Sequence, residues 1–129
     1  ILYSLNLEEY AALLETNDLE KWNQMLVDAA MNVFKAGADY LVICSNTGHL
    51  AVNHIEEEYK KLFNRNSCPI LHIADCTALH IKRKNKELND LHKDNEKPFK
   101  DFKVIGLLGT IFSMKHEHIK NRLESHGFK

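Results

Sequence analysis

Apolar residues along this chain follow two patterns, and the patterns alternate. In one, apolar positions recur three or four residues apart, as at Trp22, Leu26, Ala29, Val33 and Phe34. That spacing lines one face of a helix. In the other they run on without a break, as in YLVIC at 40–44. A continuous apolar run fits a strand of a parallel sheet covered on both faces. Ile1–Asn6 reads as a short strand or the end of one, and Leu7–Glu15 as a short helix. Asn17 with Glu20 forms a capping-box pattern that opens the helix through Phe34, and Gly37 is placed to close it in the left-handed conformation. Asp39–Cys44 is then a buried strand, followed by a helix from about Gly48 to Phe63. Pro69–Ala74 is a second strand, with Asp75 as cap of a helix running to about Lys84. Phe102–Leu108 is a third strand, and Ser113 caps a last helix that reaches about His126 before Gly127.

The order βαβαβα with short strand-to-helix turns predicts an α/β fold with a parallel sheet and right-handed crossovers. The stretch 82–101 (KRKNKELNDLHKDNEKPFKD) breaks the pattern. It is charged and poor in aliphatics, and reads as a solvated, partly disordered insertion.

Composition narrows the function classes. The chain has 129 residues, 17 basic and 18 acidic, with a formal net charge of −1. That balance points to no nucleic-acid partner and no anionic membrane surface. No apolar run approaches the roughly 20 residues that a spanning helix needs. Cys44, Cys68 and Cys76 are odd in number and match neither a disulfide framework nor a zinc ribbon, which fits free thiols in a reducing, cytoplasmic compartment.

In an open α/β sheet, ligands bind beyond the carboxyl ends of the strands. The first such end is Cys44-Ser45-Asn46-Thr47-Gly48-His49. A thiol between a strand and a helix start lies near unpaired N–H groups, which should lower its pKa. Asn46 and Thr47 can donate to a carboxylate, and Gly48 allows close backbone approach. A buried structural cysteine before a polar turn would leave the same pattern. A phosphatase loop does not fit, because no arginine occurs between Cys44 and Arg65, and the glycines of a nucleophile elbow are absent. A Cys–His protease stays open on spacing alone. At the second end, His72, Cys76 and His80 recur every four residues, but only two of them fall on the predicted helix, so ordinary packing is favoured over a metal site. His116, His118 and His126 read as surface residues of the last helix. Gly109-Thr110 at the third end offers a further hydroxyl.

Taken together, LYSLN at 2–6, AGADYLVICSNTGH at 36–49, PILHIADCTA at 69–78, VIGLLGTIFSM at 104–114 and IKNRLESHG at 119–127 resemble the aspartate/glutamate racemase superfamily. The resemblance implies two parallel-sheet three-layer α/β lobes, incomplete at both ends here. Residues 1–66 would be part of the first lobe, and residues 67–129 part of the second with the insertion at 82–101. It implies racemisation of aspartate or glutamate without cofactor or metal, by two cysteines on opposite faces of the Cα carbon. Cys44 matches the first of these, and Asn46 and Thr47 match contacts to the substrate carboxylate. Ser4 and Thr110 match further polar contacts, and Lys120 matches a basic residue for the side-chain carboxylate. A homodimer acting on a small amino acid or dicarboxylate is implied. Gly48 stands where relatives often carry methionine, and Ile119 where tyrosine is common. A glycine-rich first strand-loop and a second cysteine in a Gly-Cys-Thr-Glu-like stretch have no counterpart, so the chain is expected to be the central portion of a longer protein and inactive alone. The other readings are a maleate isomerase or hydantoin racemase of the same superfamily, and a non-catalytic dicarboxylate-binding module.

Overall fold

A computed structural model describes residues 1–92 and 99–129. The chain divides into two compact units, Ile1–Leu71 and His72–Lys129.

The first unit is built on helices. In α1 (Leu7–Glu15) the Asn6 side chain accepts the Glu8 N–H at 3.0 Å, and Glu8 and Glu9 lie in the first turn, where a helix favours negative charge. Asn17 takes φ 56°, a left-handed conformation that Asn tolerates, so it makes the turn and Asp18, not Asn17, caps the next helix. The Asp18 carboxylate accepts the Lys21 N–H at 3.2 Å at the start of α2 (Leu19–Lys35). The predicted apolar face of α2 is buried: Trp22, Leu26, Val27, Ala30, Met31 and Phe34. Gly37, at φ 95°, closes it as expected. A 3₁₀ turn over Thr47–Ala51 leads into α3 (Val52–Phe63), which buries Val52, Ile55 and Tyr59. Phe34 of α2 meets Tyr59 of α3 edge-on with ring centroids 4.6 Å apart. Geometry of this kind adds about 0.5–1.5 kcal/mol to area burial.

The second unit holds α4 (Ile73–Leu91), α5 (Ile111–Lys115) and α6 (His118–Ser125). Its core gathers Ala74 and Ala78 from α4, Ile119 and Leu123 from α6, and Phe128, with Ile81, Ile105 and Leu107 packed against them. The helix read as one piece to His126 is two, because His116 is extended at ψ 131°. Thr110, not Ser113, is the cap: its side chain accepts the Ser113 N–H.

The parallel-sheet three-layer α/β architecture is not what forms. Helix takes 61% of the described residues and strand 2%, with no sheet. One parallel bridge, Leu41 with Ile70, joins the first two predicted strands, through Leu41 N–H to Pro69 O and Leu71 N–H to Leu41 O, both 2.9 Å. Near the third, Lys129 N–H donates to Lys103 O and Ile105 N–H to Lys129 O. A ladder needs several consecutive residues in register beside a neighbour. Here pairing stops after a residue, and the apolar runs are not covered. Tyr40 is 64% exposed and Val42 59%, where burial on both faces was expected.

The stretch read as a disordered insertion also differs. Residues 82–91 continue α4, supported by Lys84–Glu87 at 2.7 Å and Arg83–Glu87 at 3.7 Å. Lys, Glu and Leu are good helix formers, and pairs at these spacings add a few tenths of a kcal/mol each. Residues 93–98 of that stretch lie outside the described residues.

Candidate functional site

The segment from Asp39 to Ser45 forms one wall of a cavity of about 740 Å³ in the first unit. Ile1–Leu5 lines it as well, and α1 and α2 contribute Tyr10, Leu26, Ala29, Ala30 and Val33. The Cys44 thiol is exposed and lines this cavity. So do the hydroxyl-bearing residues Tyr3, Ser4, Tyr10, Tyr40 and Ser45, and Asp39. Polar groups are few and the rest of the wall is mainly apolar, the usual composition of a small-molecule site.

The turn after Cys44 is held by Ser45. Its Oγ accepts the Gly48 N–H at 3.1 Å, and its carbonyl oxygen lies 2.7 Å from Nδ1 of the buried His49. The Tyr10 hydroxyl is 3.4 Å from the same Oγ. Burial raises the Tyr10 pKa above the ordinary phenol value, and its hydrogen bond with Ser45 only partly offsets this. Either hydroxyl of this pair can be the donor. Two amides of the following turn, expected to be unpaired near Cys44, are paired instead: Gly48 N–H with Ser45 Oγ and His49 N–H with Asn46 O.

The structure brings Cys44 and Ser4 together in one cavity. Asn46 and Thr47 are in the same turn but not in the cavity wall, and Thr47 is buried. Thr110 and Lys120 belong to the second unit. Thr110 caps α5, and the Lys120 ammonium pairs with Glu117 at 2.9 Å, which raises its pKa. Tyr10 and Ser45 are the residues that sequence reasoning missed. Ser45 was visible as part of the motif, but nothing in the spacing of Tyr10, 35 positions earlier, marks it as its partner.

Cys68 is in neither the turn nor the cavity wall. Burial, with Glu56 adding to it, pushes its thiol up to about 11. No group of three His, Cys, Asp or Glu that could hold a metal occurs among the described residues. His72 instead caps α4, its Nδ1 accepting the Ala74 N–H at 3.1 Å. His126 is not a free surface residue: its Nε2 lies 2.9 Å from Oδ1 of Asp75.

No known protein-family profile matches the chain. Over its whole length it is 33% identical, with a TM-score of 0.74, to a crystallised protein described as "a putative Asp/Glu Racemase from Yersinia pestis". That likeness supports the aspartate/glutamate racemase superfamily. The chain spans 46% of the length of that protein. No helix among the described residues is long and apolar enough to cross a membrane.

Proposed function

We propose that this chain contributes one half of a cofactor-independent racemase site for an acidic amino acid, aspartate or glutamate, with Cys44 as one of two proton-transferring sulfurs. The observation that carries the reading is the exposed Cys44 in the wall of a cavity that also holds the hydroxyl-bearing Ser4, Tyr10 and Ser45. The likeness to a racemase supports it.

The Cys44 thiolate takes the Cα proton and becomes a thiol, leaving a carbanion. A second thiol on the opposite face gives its proton to that carbon and becomes a thiolate. The product is the enantiomer, and the two sulfurs have exchanged protonation states, so the same pair serves the reverse reaction. The Cα–H bond is far less acidic than a thiol, so the carbanion needs fixed donors around the α-carboxylate. Ser4, which lines this cavity, is proposed as one of them. Neither Cys68 nor Cys76 lines the cavity, so the opposite sulfur comes from outside that lining. Asn46, Thr47, Thr110 and Lys120 are proposed as further substrate contacts in the whole protein, which is proposed to work as a cytoplasmic homodimer.

The test is deuterium wash-in at Cα, followed by NMR, with L- and D-aspartate and L- and D-glutamate in D2O. Exchange with loss of optical purity is expected for the whole protein, and Cys44→Ser should reduce it by at least about 100-fold, the lower range for losing a catalytic proton carrier. Near-normal exchange in Cys44→Ser would overturn the assignment. Ligand-induced stabilisation without any exchange would point to a binding module instead.

A further inference from the structure

The hydroxyl of Ser45 has a fixed hydrogen-bonding problem. A serine hydroxyl carries one proton and two acceptor lone pairs. One lone pair takes the Gly48 N–H at 3.1 Å. The Tyr10 hydroxyl, 3.4 Å away and kept protonated by its half-buried setting, can fill the other. The Tyr10 ring is itself held in place against Trp22, with centroids 5.4 Å apart, and Trp22 is 1% exposed. With Tyr10 as the donor of its pair, both acceptor positions of Ser45 are taken and the Ser45 proton points away from them. Ser45 and Cys44 line the same cavity. We propose that Ser45 is a carboxylate-binding residue of this site, and that Tyr10 is the positioning residue that sets the direction of the Ser45 proton.

The assignment rests on the reading of Cys44 as the proton-transferring thiol. It goes beyond that reading by adding Ser45, which lines the cavity, as a carboxylate donor aimed by Tyr10. A hydrogen bond to a carboxylate is charge-assisted and roughly twice as strong as one between neutral groups. A directed O–H is therefore worth most against an anion. The charged side chain that opposes a carboxylate in this wall is Asp39, which lies five residues before Cys44. Asp39 sits at a bend before the bridged Leu41, and Cys44 and Ser45 follow that bridge. The ligand class is thus a small carboxylate whose anionic end sits beside the Cys44 sulfur.

Two alkylating probes separate carboxylate recognition from turnover. Iodoacetate and iodoacetamide make the same thioether at the same sulfur with loss of iodide, and differ in the carboxylate. Peptide-resolved alkylation rates at Cys44 would be measured with each, in the folded protein and in the urea-unfolded chain. The expected iodoacetate-to-iodoacetamide ratio at Cys44 is about fivefold higher folded than unfolded, the factor one net hydrogen bond gives. Ser45→Ala should bring the ratio to the unfolded value. Ser45→Thr, which restores the hydroxyl, should keep it, and Tyr10→Phe should cut it by about half or more. Trp22 fluorescence verifies that each variant keeps the first unit folded. A wild-type ratio equal to that of the unfolded chain would overturn the proposal, as would a ratio unchanged by Ser45→Ala. Alkylation needs no turnover, so the two readings fail separately. Absent isotope exchange with an intact ratio removes the racemase reading alone, and exchange without the ratio removes Ser45 alone.

Discussion

Gly48 was expected to permit close backbone approach, and the structure shows what approaches. A Cβ at this position would lie 2.9 Å from Cγ2 of Ile43 and 3.3 Å from Cβ of Ser45. The constraint is steric crowding by a β-branched neighbour, since the φ of Gly48 is not left-handed. The Ile43 methyl branches from Cβ and cannot move without a change of rotamer. Gly48→Ala should therefore destabilise the first unit by about 1–3 kcal/mol, the usual range for one methyl forced into a packed site. Trp22 is the single tryptophan and is buried in α2, so a urea titration followed by its fluorescence reads this unit directly. An unchanged midpoint would show that the turn relaxes freely. At this scale the sequence revealed the small residue and the thiol. It did not reveal Ile43 as the obstacle or Tyr10 as a partner of Ser45, because both depend on side chains meeting across the fold.

Periodicity locates most of the helices but not always their ends. The apolar face of α2 and the closing Gly37 follow from local rules, and the structure has both. The strands failed for a physical reason: a continuous apolar run says that a segment is sticky, while a strand exists only where a neighbour pairs with it. Leu41 finds such a neighbour at Ile70, and Tyr40 and Val42 are left exposed. The start of α4 shows a similar displacement of roles. With His72 capping, Asp75 is released from the role expected of it and reaches α6. Arg122 Nε lies 2.9 Å from both Asp75 oxygens, its second nitrogen 2.9 Å from Oδ2, and His126 Nε2 2.9 Å from Oδ1. Burial opposes the charge on Asp75, but the bonds from Arg122 and His126 outweigh it and hold the carboxyl below its ordinary range. A depressed carboxylate pKa contributes stability that is complete above the unfolded value, near 3.9, and is lost as pH falls through the lower folded value. Asp75→Asn should thus cost about 1–2 kcal/mol at neutral pH, given partial exposure of the pair. It should also flatten the loss of helical circular dichroism below about pH 4. Equal acid titrations for wild type and variant would remove Asp75 as the clasp.

At the scale of the whole molecule, order and spacing of five segments were enough to reach the superfamily that the likeness supports, although the sheet behind that reading is absent from the described residues. Motifs record local chemistry, and they persist where the long-range pairing around them does not form. What remains unpaired has a consequence for solution behaviour. In the first unit Leu2, Tyr40 and Val42 are exposed, and in the second Val104, Leu108 and Ile111 are, with Leu108 at 93%. Large apolar side chains this open promote association. Of these residues, Tyr40 and Val42 flank the bridged Leu41, and neither forms a backbone–backbone hydrogen bond among the described residues. An extended edge with unsatisfied N–H and C=O groups is a template for a further strand, and natural edges block it with lysine. The 129-residue chain should therefore self-associate, with a sedimentation coefficient that rises with concentration. Val42→Lys should shift it toward the monomer, because it adds charge where the edge is open. Leu91→Lys, on an exposed residue of α4 that belongs to no extended run, should shift it much less. A monodisperse monomer across the concentration series would overturn the prediction, and equal effects of the two lysines would move the contact from the edge to apolar surface in general.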